Sequence, residues 1–326
     1  MKPGIKIWLF IGFLITSGFI HAQNESPLLS FSNPIVINPA FAGFDNQTSF
    51  YVGNQYYYID SAQAFNLLYF TYDTYSEKLN GGIGLLFRQG IISNRNISTT
   101  EMGFAYSSIP RKTNNGNIRF AANMNFVLAT KHWYIGALDG IMIDPGQTEP
   151  NAPGEEFLRY LLLKPHLSFL WDTRAVTWGI TAGYPLRVNF NADSLDAQQK
   201  SPATFTLYIS KNHEGYKKGL RTRPFVFVPE LIVHYQEDFI FSRIHAYIEH
   251  TNITFGIFLQ SDFSNNIHVL GGTFGIAGGN FRIDLNGGAG VPGISDNTGF
   301  CGELSLKLLV PRVDYSKINP WATKTK

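Results

Sequence analysis

The stretch Gly299-Phe300-Cys301-Gly302-Glu303-Leu304-Ser305-Leu306-Lys307-Leu308-Leu309-Val310 decides the fold. Phe300, Leu304, Leu306 and Leu308 fall on one face of an extended chain, and Cys301, Glu303, Ser305 and Lys307 fall on the other. A period of two over about ten residues marks a strand with one apolar and one polar side. The pattern repeats upstream. In 280–290, Phe281, Ile283 and Leu285 oppose Arg282, Asp284 and Asn286. In 239–250, Ile240, Ile244, Ala246 and Ile248 oppose Arg243, His245, Tyr247 and Glu249.

Working back from there, pieces of similar length bounded by turn-formers continue to residue 48. The candidate strands are 48–58, 63–75, 80–92, 98–109, 117–131, 160–172, 176–187, 202–211, 223–236, 239–250, 253–262, 267–277, 280–290 and 299–310. Some, such as 63–75, are apolar on both faces. About fourteen antiparallel strands, each near ten residues, fit the tilted staves of a transmembrane β-barrel. Only 15% of the 326 residues are charged, against about a quarter in ordinary soluble domains, yet mean hydropathy is −0.06. Apolar and polar residues are therefore interleaved, as a barrel wall requires. No run of about 18 apolar residues follows the N-terminus, so a chain of this kind in a membrane must close its sheet. The two longest connections, 132–159 and 188–201, fall on the same end of such a barrel. The opposite end carries mostly tight turns such as Gly278-Gly279, with 110–116 and 212–222 as longer exceptions, the asymmetry of outer-membrane barrels. Aromatic residues near strand ends, among them Tyr56, Tyr72, Trp133 and Trp171, suit interfacial girdles.

The N-terminus reads as an export signal: Lys2 and Lys6, an apolar run from Ile7 to Ile20, then small residues up to a cleavage point after Ala22. The expected division is a signal peptide at 1–22, an extended segment at 23–47, a barrel at 48–310 and a basic periplasmic tail at 311–326. Within the segment, Asn33-Pro34-Ile35-Val36-Ile37-Asn38-Pro39-Ala40-Phe41-Ala42-Gly43 has too many prolines and turn-formers to be a helix and too many apolar residues for a free tail. Each Asn-Pro step biases the asparagine toward an extended backbone. The segment is expected to pack on or in the barrel.

Several chemistries are excluded or weak. A single cysteine, Cys301, rules out an intramolecular disulfide and a multi-cysteine metal site. A net charge of +2 leaves no nucleic-acid footprint. Gly288-Ala289-Gly290-Val291-Pro292-Gly293 has the letters of a dinucleotide fingerprint, but Pro292 and Ser295-Asp296-Asn297 make a hairpin loop where a helix would have to open. Glu230 and His234 share the polar face of one strand, and Arg243, His245 and Glu249 share that of the next. Their spacing has no zinc signature. With Arg282, Asp284, Glu303 and Lys307 they read as a mixed-charge network in the lumen, suited to a filled barrel rather than an ion-selective pore. No nucleophile context accompanies the histidines, so no catalytic or metal residues and no cofactor are expected.

The opening Asn33–Gly43 resembles the "NPLLINPAYAG" start of the PorP/SprF family of type IX secretion outer-membrane proteins of Bacteroidetes. Asn54-Gln55-Tyr56, Tyr69 to Asp73 and Glu77-Lys78-Leu79-Asn80-Gly81-Gly82-Ile83-Gly84 are similar to its "RNQW … SYD … KLHGGIG" progression, with Tyr56 where the family usually has Trp. Leu163-Lys164-Pro165-His166 resembles its "LKPS" strand start. The resemblance implies a non-enzymatic barrel that assists secretion or surface anchoring of partner proteins. Those are adhesins or other cargo with a C-terminal sorting domain, and some members work in gliding motility. Candidate packing or docking residues are Asn33, Pro34, Asn38, Pro39, Phe41 and Gly43, with Trp133, Tyr134, Ile141 and Ile143 as candidate contacts on the outer loops. The rival readings are a porin-like or hydrophobic-solute channel and a soluble secreted sandwich.

Overall fold

A computed structural model of the chain describes residues 33–45, 47–59, 63–92, 97–113, 116–133, 156–173, 175–189, 203–211, 225–236, 239–264, 266–293 and 299–310. The strands, in order, are β1 (Thr48–Ile59), β2 (Gln63–Ser76), β3 (Gly81–Ile92), β4 (Ile97–Thr113), β5 (Gly116–Trp133), β6 (Glu156–Thr173), β7 (Val176–Gly183), β8 (Leu186–Asn189), β9 (Thr204–Lys211), β10 (Val226–Gln236), β11 (Phe239–His250), β12 (Ile253–Asp262), β13 (Ile267–Ala277), β14 (Phe281–Gly290) and β15 (Gly299–Val310). Pairing is antiparallel throughout and follows chain order, except that β7 and β8 both pair with β6 and β7 pairs with β9; β1 pairs with β15 from Thr48↔Val310 to Ile59↔Gly299. The sheet is closed.

Segments β7 and β8 are two parts of one stave, so the barrel has fourteen. The stave breaks at Tyr184-Pro185, where proline has no N–H for the ladder. Tyr184 N–H still donates to the Pro165 carbonyl at 3.2 Å, which holds the break against β6. The expected 176–187 is thus split. Strands β4, β5 and β6 run longer than alternation suggests: β4 passes through an irregularity between Ser108 and Arg111 and then resumes pairing with β5, and at the other end of β5 Thr130 to Trp133 pair with Arg159 to Glu156 of β6. Pro110 lies in that irregularity, the place a sheet tolerates it. Residues 288–290 belong to β14, in keeping with the hairpin reading.

Facing follows the period of two. Phe300, Leu304 and Leu308 of β15 stand outward and exposed, Leu304 at 55%, while Cys301, Glu303 and Ser305 are buried inside. The same polarity, apolar out and polar in, runs around the wall. It is the inverse of a soluble protein, and lipid is the medium that suits it. No helix among the described residues is long and apolar enough to cross a membrane; the chain crosses with strands. Connections 134–155 and 190–203 leave from one end of the barrel. The turns 77–80, 251–252 and 278–280 close the other.

The segment before β1 needs a correction. Pro34–Ile37 forms a single α-helical turn (α1), and Pro39–Phe41 a 3-10 turn. The extended conformation is confined to Asn33 (φ −117°, ψ 100°) and Asn38 (φ −145°, ψ 112°). The prolines do not forbid these turns; they start them. Proline at the first helical position gives up an N–H that would have no partner there, and its fixed φ is already helical.

Candidate functional site

Each Asn-Pro step builds a capped turn, and each asparagine is also bonded to the barrel wall. The Asn33 side-chain oxygen accepts from Ile35 N–H at 3.3 Å, while its amide donates to Thr71 Oγ1 at 2.6 Å. The Asn38 oxygen accepts from Ala40 N–H at 2.9 Å, and its amide donates to the Phe169 carbonyl at 3.1 Å. Asparagine is suited to both tasks because it carries an acceptor for the cap and a donor for the wall. Further along, Ser107 Oγ donates to the Ala40 carbonyl (3.0 Å), Arg119 Nη1 to the Ala42 carbonyl (3.4 Å), and Gly43 N–H to Asp73 Oδ1 (2.9 Å). Thr71, Asp73, Ser107 and Arg119 are buried residues of β2, β4 and β5.

Apolar packing carries the segment across the interior. Ile37, Ala40 and Phe41 cluster with Ala121, Leu170, Tyr208, Ile232 and Phe241, which come from β5, β6, β9, β10 and β11. The Phe41 and Tyr208 rings meet edge to face at 5.2 Å. Residues 33–42 are therefore a plug inside the lumen. Its cradle is made of glycine. A Cβ on Gly82 would lie 1.9 Å from the Ala42 carbonyl oxygen, and one on Gly84 would lie 2.3 Å from Ile35 Cδ1. Gly43, at φ +63°, turns the chain from the plug toward β1.

The charged lumenal residues are all on the inner face, in separate groups. Arg282 Nε donates to both Asp284 oxygens (2.9 and 2.8 Å), and Nη1 donates to Glu249 Oε1 (2.9 Å). Glu230 accepts from the Tyr208 hydroxyl (3.2 Å) and lies 3.9 Å from His245 Nδ1; His245 Nε2 meets Thr273 Oγ1 at 3.0 Å. Arg243, 2% exposed, lies 3.9 Å from the centre of the Phe258 ring and donates to Asn286 Oδ1 at 3.5 Å. Glu303 accepts from the Tyr69 hydroxyl at 2.8 Å. Lys307 bonds Asp45 at 2.7 Å and so ties β15 to the residues leading from the plug. His234 shares the inner face of β10 with Glu230 and meets Thr206 Oγ1 through Nδ1 at 2.8 Å. Among the described residues, no three His, Cys, Asp or Glu side chains gather as a metal site would require.

A second polar group went unread in the sequence. Arg88 of β3 pairs with Glu101 of β4, Nε to Oε2 at 3.0 Å, and Asn125 Nδ2 donates to Glu101 Oε1 at 2.5 Å. The signal was available, since Arg88 and Glu101 are direct register partners across the 93–96 connection. Gly81-Gly82-Ile83-Gly84 likewise encoded the cradle, as small residues at alternate inward positions. Trp133 ends β5; Tyr134, Ile141 and Ile143 lie outside the described residues, as do 1–32 and 311–326.

A sequence model of the family described as type IX secretion system membrane protein PorP/SprF matches residues 21–286. No curated protein is significantly similar. Among solved structures, the TodX deltaS2S3 mutant monoaromatic hydrocarbon channel is similar with a TM-score of 0.51 at 10% identity, over 89% of this chain and 95% of that one. The Acinetobacter baumannii outer membrane protein Omp33 has a TM-score of 0.43 at 13% identity, over 81% of this chain and 99% of Omp33. CdiB from Acinetobacter baumannii has a TM-score of 0.43 at 7% identity over 80% of this chain, which spans 60% of CdiB. The TodX likeness bears on the barrel fold alone.

Proposed function

The chain belongs to the PorP/SprF family of type IX secretion system membrane proteins, and from that membership and the filled lumen we propose a plugged, non-enzymatic outer-membrane barrel that docks partner proteins. The partners are other secretion components and cargo with a C-terminal sorting domain, adhesins among them, which the barrel helps to export or to hold at the cell surface. Residues 1–22 direct export and are removed. The plug supports this reading: it crosses the inside of the barrel from β2 to β11, and the wall meets it with dedicated glycines and hydrogen bonds. A barrel built this way works through the surfaces at its two ends, those of the outer loops, the plug's leader and the basic tail 311–326, rather than by conducting solute.

The test uses the full-length protein in detergent and in planar bilayers. Co-purification with a cargo sorting domain, together with no steady conductance, is expected. Steady conductance or uptake of a hydrophobic solute without cargo binding overturns docking and favours a transport barrel. N-terminal sequencing of the mature protein should begin at Gln23; retention of Met1 overturns the cleaved signal.

A further inference from the structure

We infer that the outward face around the β15–β1 seam is an interface where a second copy of this chain packs within the membrane. This inference rests on the barrel alone and does not depend on which protein it serves.

Around β5 to β12, mid-strand outward positions carry side chains such as Phe126, Leu167, Ile180 and Ile244, as lipid contact requires. The other side differs. Asn54, Asn66 and Gln89 stand outward and exposed on the adjacent strands β1, β2 and β3, between Val52, Leu68 and Ile91. Asn54 Nδ2 donates to Asn66 Oδ1 at 2.7 Å. Each amide has two N–H donors and an acceptor oxygen, so this one bond leaves capacity facing outward. In hydrocarbon such groups are costly without partners.

A second observation adjoins the first. Gly272, Gly287 and Gly302 are direct register partners across β13, β14 and β15, and Gly302 is in register with Tyr56 of β1. None has a left-handed backbone. A Cβ on Gly287 would meet nothing within 4 Å, and one on Gly272 or Gly302 would meet only ordinary contacts at 3.7 and 3.9 Å. The barrel itself has no need of these glycines. They leave a trough of bare backbone about 10 Å long, two inter-strand spacings. Phe274, Leu285 and Leu304 wall it on one side, and Leu270 and Phe300 on the other.

The chemistry favours protein over lipid. An acyl chain fills the trough but offers the amides nothing. A phosphate headgroup needs cations, and no described Lys or Arg side chain faces outward on β1–β4 or β13–β15. Exposed amides bring N–H donors, and the bare glycine backbone brings carbonyl oxygens, each with a second lone pair beyond its ladder bond. A two-fold axis near the β15–β1 seam sets the glycine row of each copy against the β1–β2 side of the other, where Tyr56, Asn54 and Asn66 stand. Small residues then allow close approach of the two walls, as they do between membrane helices.

The test is thiol crosslinking of the full chain in outer membranes, in a Cys301→Ser background because Cys301 is the chain's one thiol. Gly302→Cys should give a reducible band at twice the monomer mass, and Ile180→Cys on the far wall should not. Adding Gly287→Trp, which points into open space, should leave heat-modifiable folding intact and cut the crosslink at least tenfold. Gly302→Cys remaining monomeric, crosslinking no better than Ile180→Cys, or joining only a protein of different mass each overturns the self-association.

Discussion

At the scale of single residues, the two asparagines explain the most. Asn33 and Asn38 each close a turn and fasten it to the wall, using opposite ends of one amide. Asn38→Asp separates the tasks: the cap acceptor stays, the donor to the Phe169 carbonyl is lost, and a carboxylate is set against that carbonyl. We expect a loss of about 2 kcal/mol, read as a lower temperature of heat-modification on semi-native gels. A loss no greater than that of an outward substitution such as Leu304→Ala would show that the wall bond contributes little. Gly82→Leu acts from the other side. Its Cβ would lie 1.9 Å from the Ala42 carbonyl oxygen, and backbone cannot yield as a flexible side chain can. The plug should shift or leave while the staves still pair, at a cost of about 3 kcal/mol or more. The expected readout is a new protease-sensitive site near residues 33–43 in a protein that remains heat-modifiable; full protection there counts against the cradle. The Asn-Pro steps were legible in the sequence as turn signals. Their wall partners were not, because Thr71 and Phe169 lie far along the chain and only barrel closure brings them near.

At the scale of elements, the staves were legible and the plug was not. Alternation in β11, β14 and β15 assigned inward and outward faces residue by residue, because a lipid-facing strand leaves no latitude about which side is apolar. It also placed Glu249, Arg282 and Asp284 on one inner surface, where Arg282 bridges the two carboxylates. Arg282→Ala leaves those carboxylates facing each other. With the arginine side chain 32% exposed, the expected loss is about 2 kcal/mol, below that of a fully buried pair. Restoring stability by a second change, Glu249→Gln, would confirm that repulsion is the cause; no recovery would point to lost packing. By contrast, Asp45→Asn should cost under about 1 kcal/mol, since Asp45 is 45% exposed in its pair with Lys307. Alternation cannot describe α1 or the turn that follows it. A segment of one or two turns has no period to read, and its conformation is set by caps and by the surface it lies on.

For the whole molecule, a filled barrel predicts a closed one. Wild-type protein should give no steady current in planar bilayers, and Gly82→Leu should conduct if the plug alone seals the lumen. Wild-type conductance would contradict the seal. A silent Gly82→Leu variant that is cleaved near residues 33–43 would show that the rest of the inner face closes the barrel without the plug. The amino-acid sequence by itself determined the barrel: fourteen staves, their antiparallel order and, where the alternation is clean as in β11, β14 and β15, their facing. Local periodicity and tight turns suffice for that, and lipid enforces it on every strand. It also carried the family, in the opening around Asn33–Gly43 and in Gly81–Gly84. Only the tertiary structure decided that this opening lies inside the lumen, that Gly82 and Gly84 exist to receive it, and that Glu101 is shared between Arg88 and Asn125. It alone brought Gly272, Gly287 and Gly302 into one outward row. Those facts depend on register between strands and on what meets across a closed sheet, and such distances exist only once the ends of the sheet have joined.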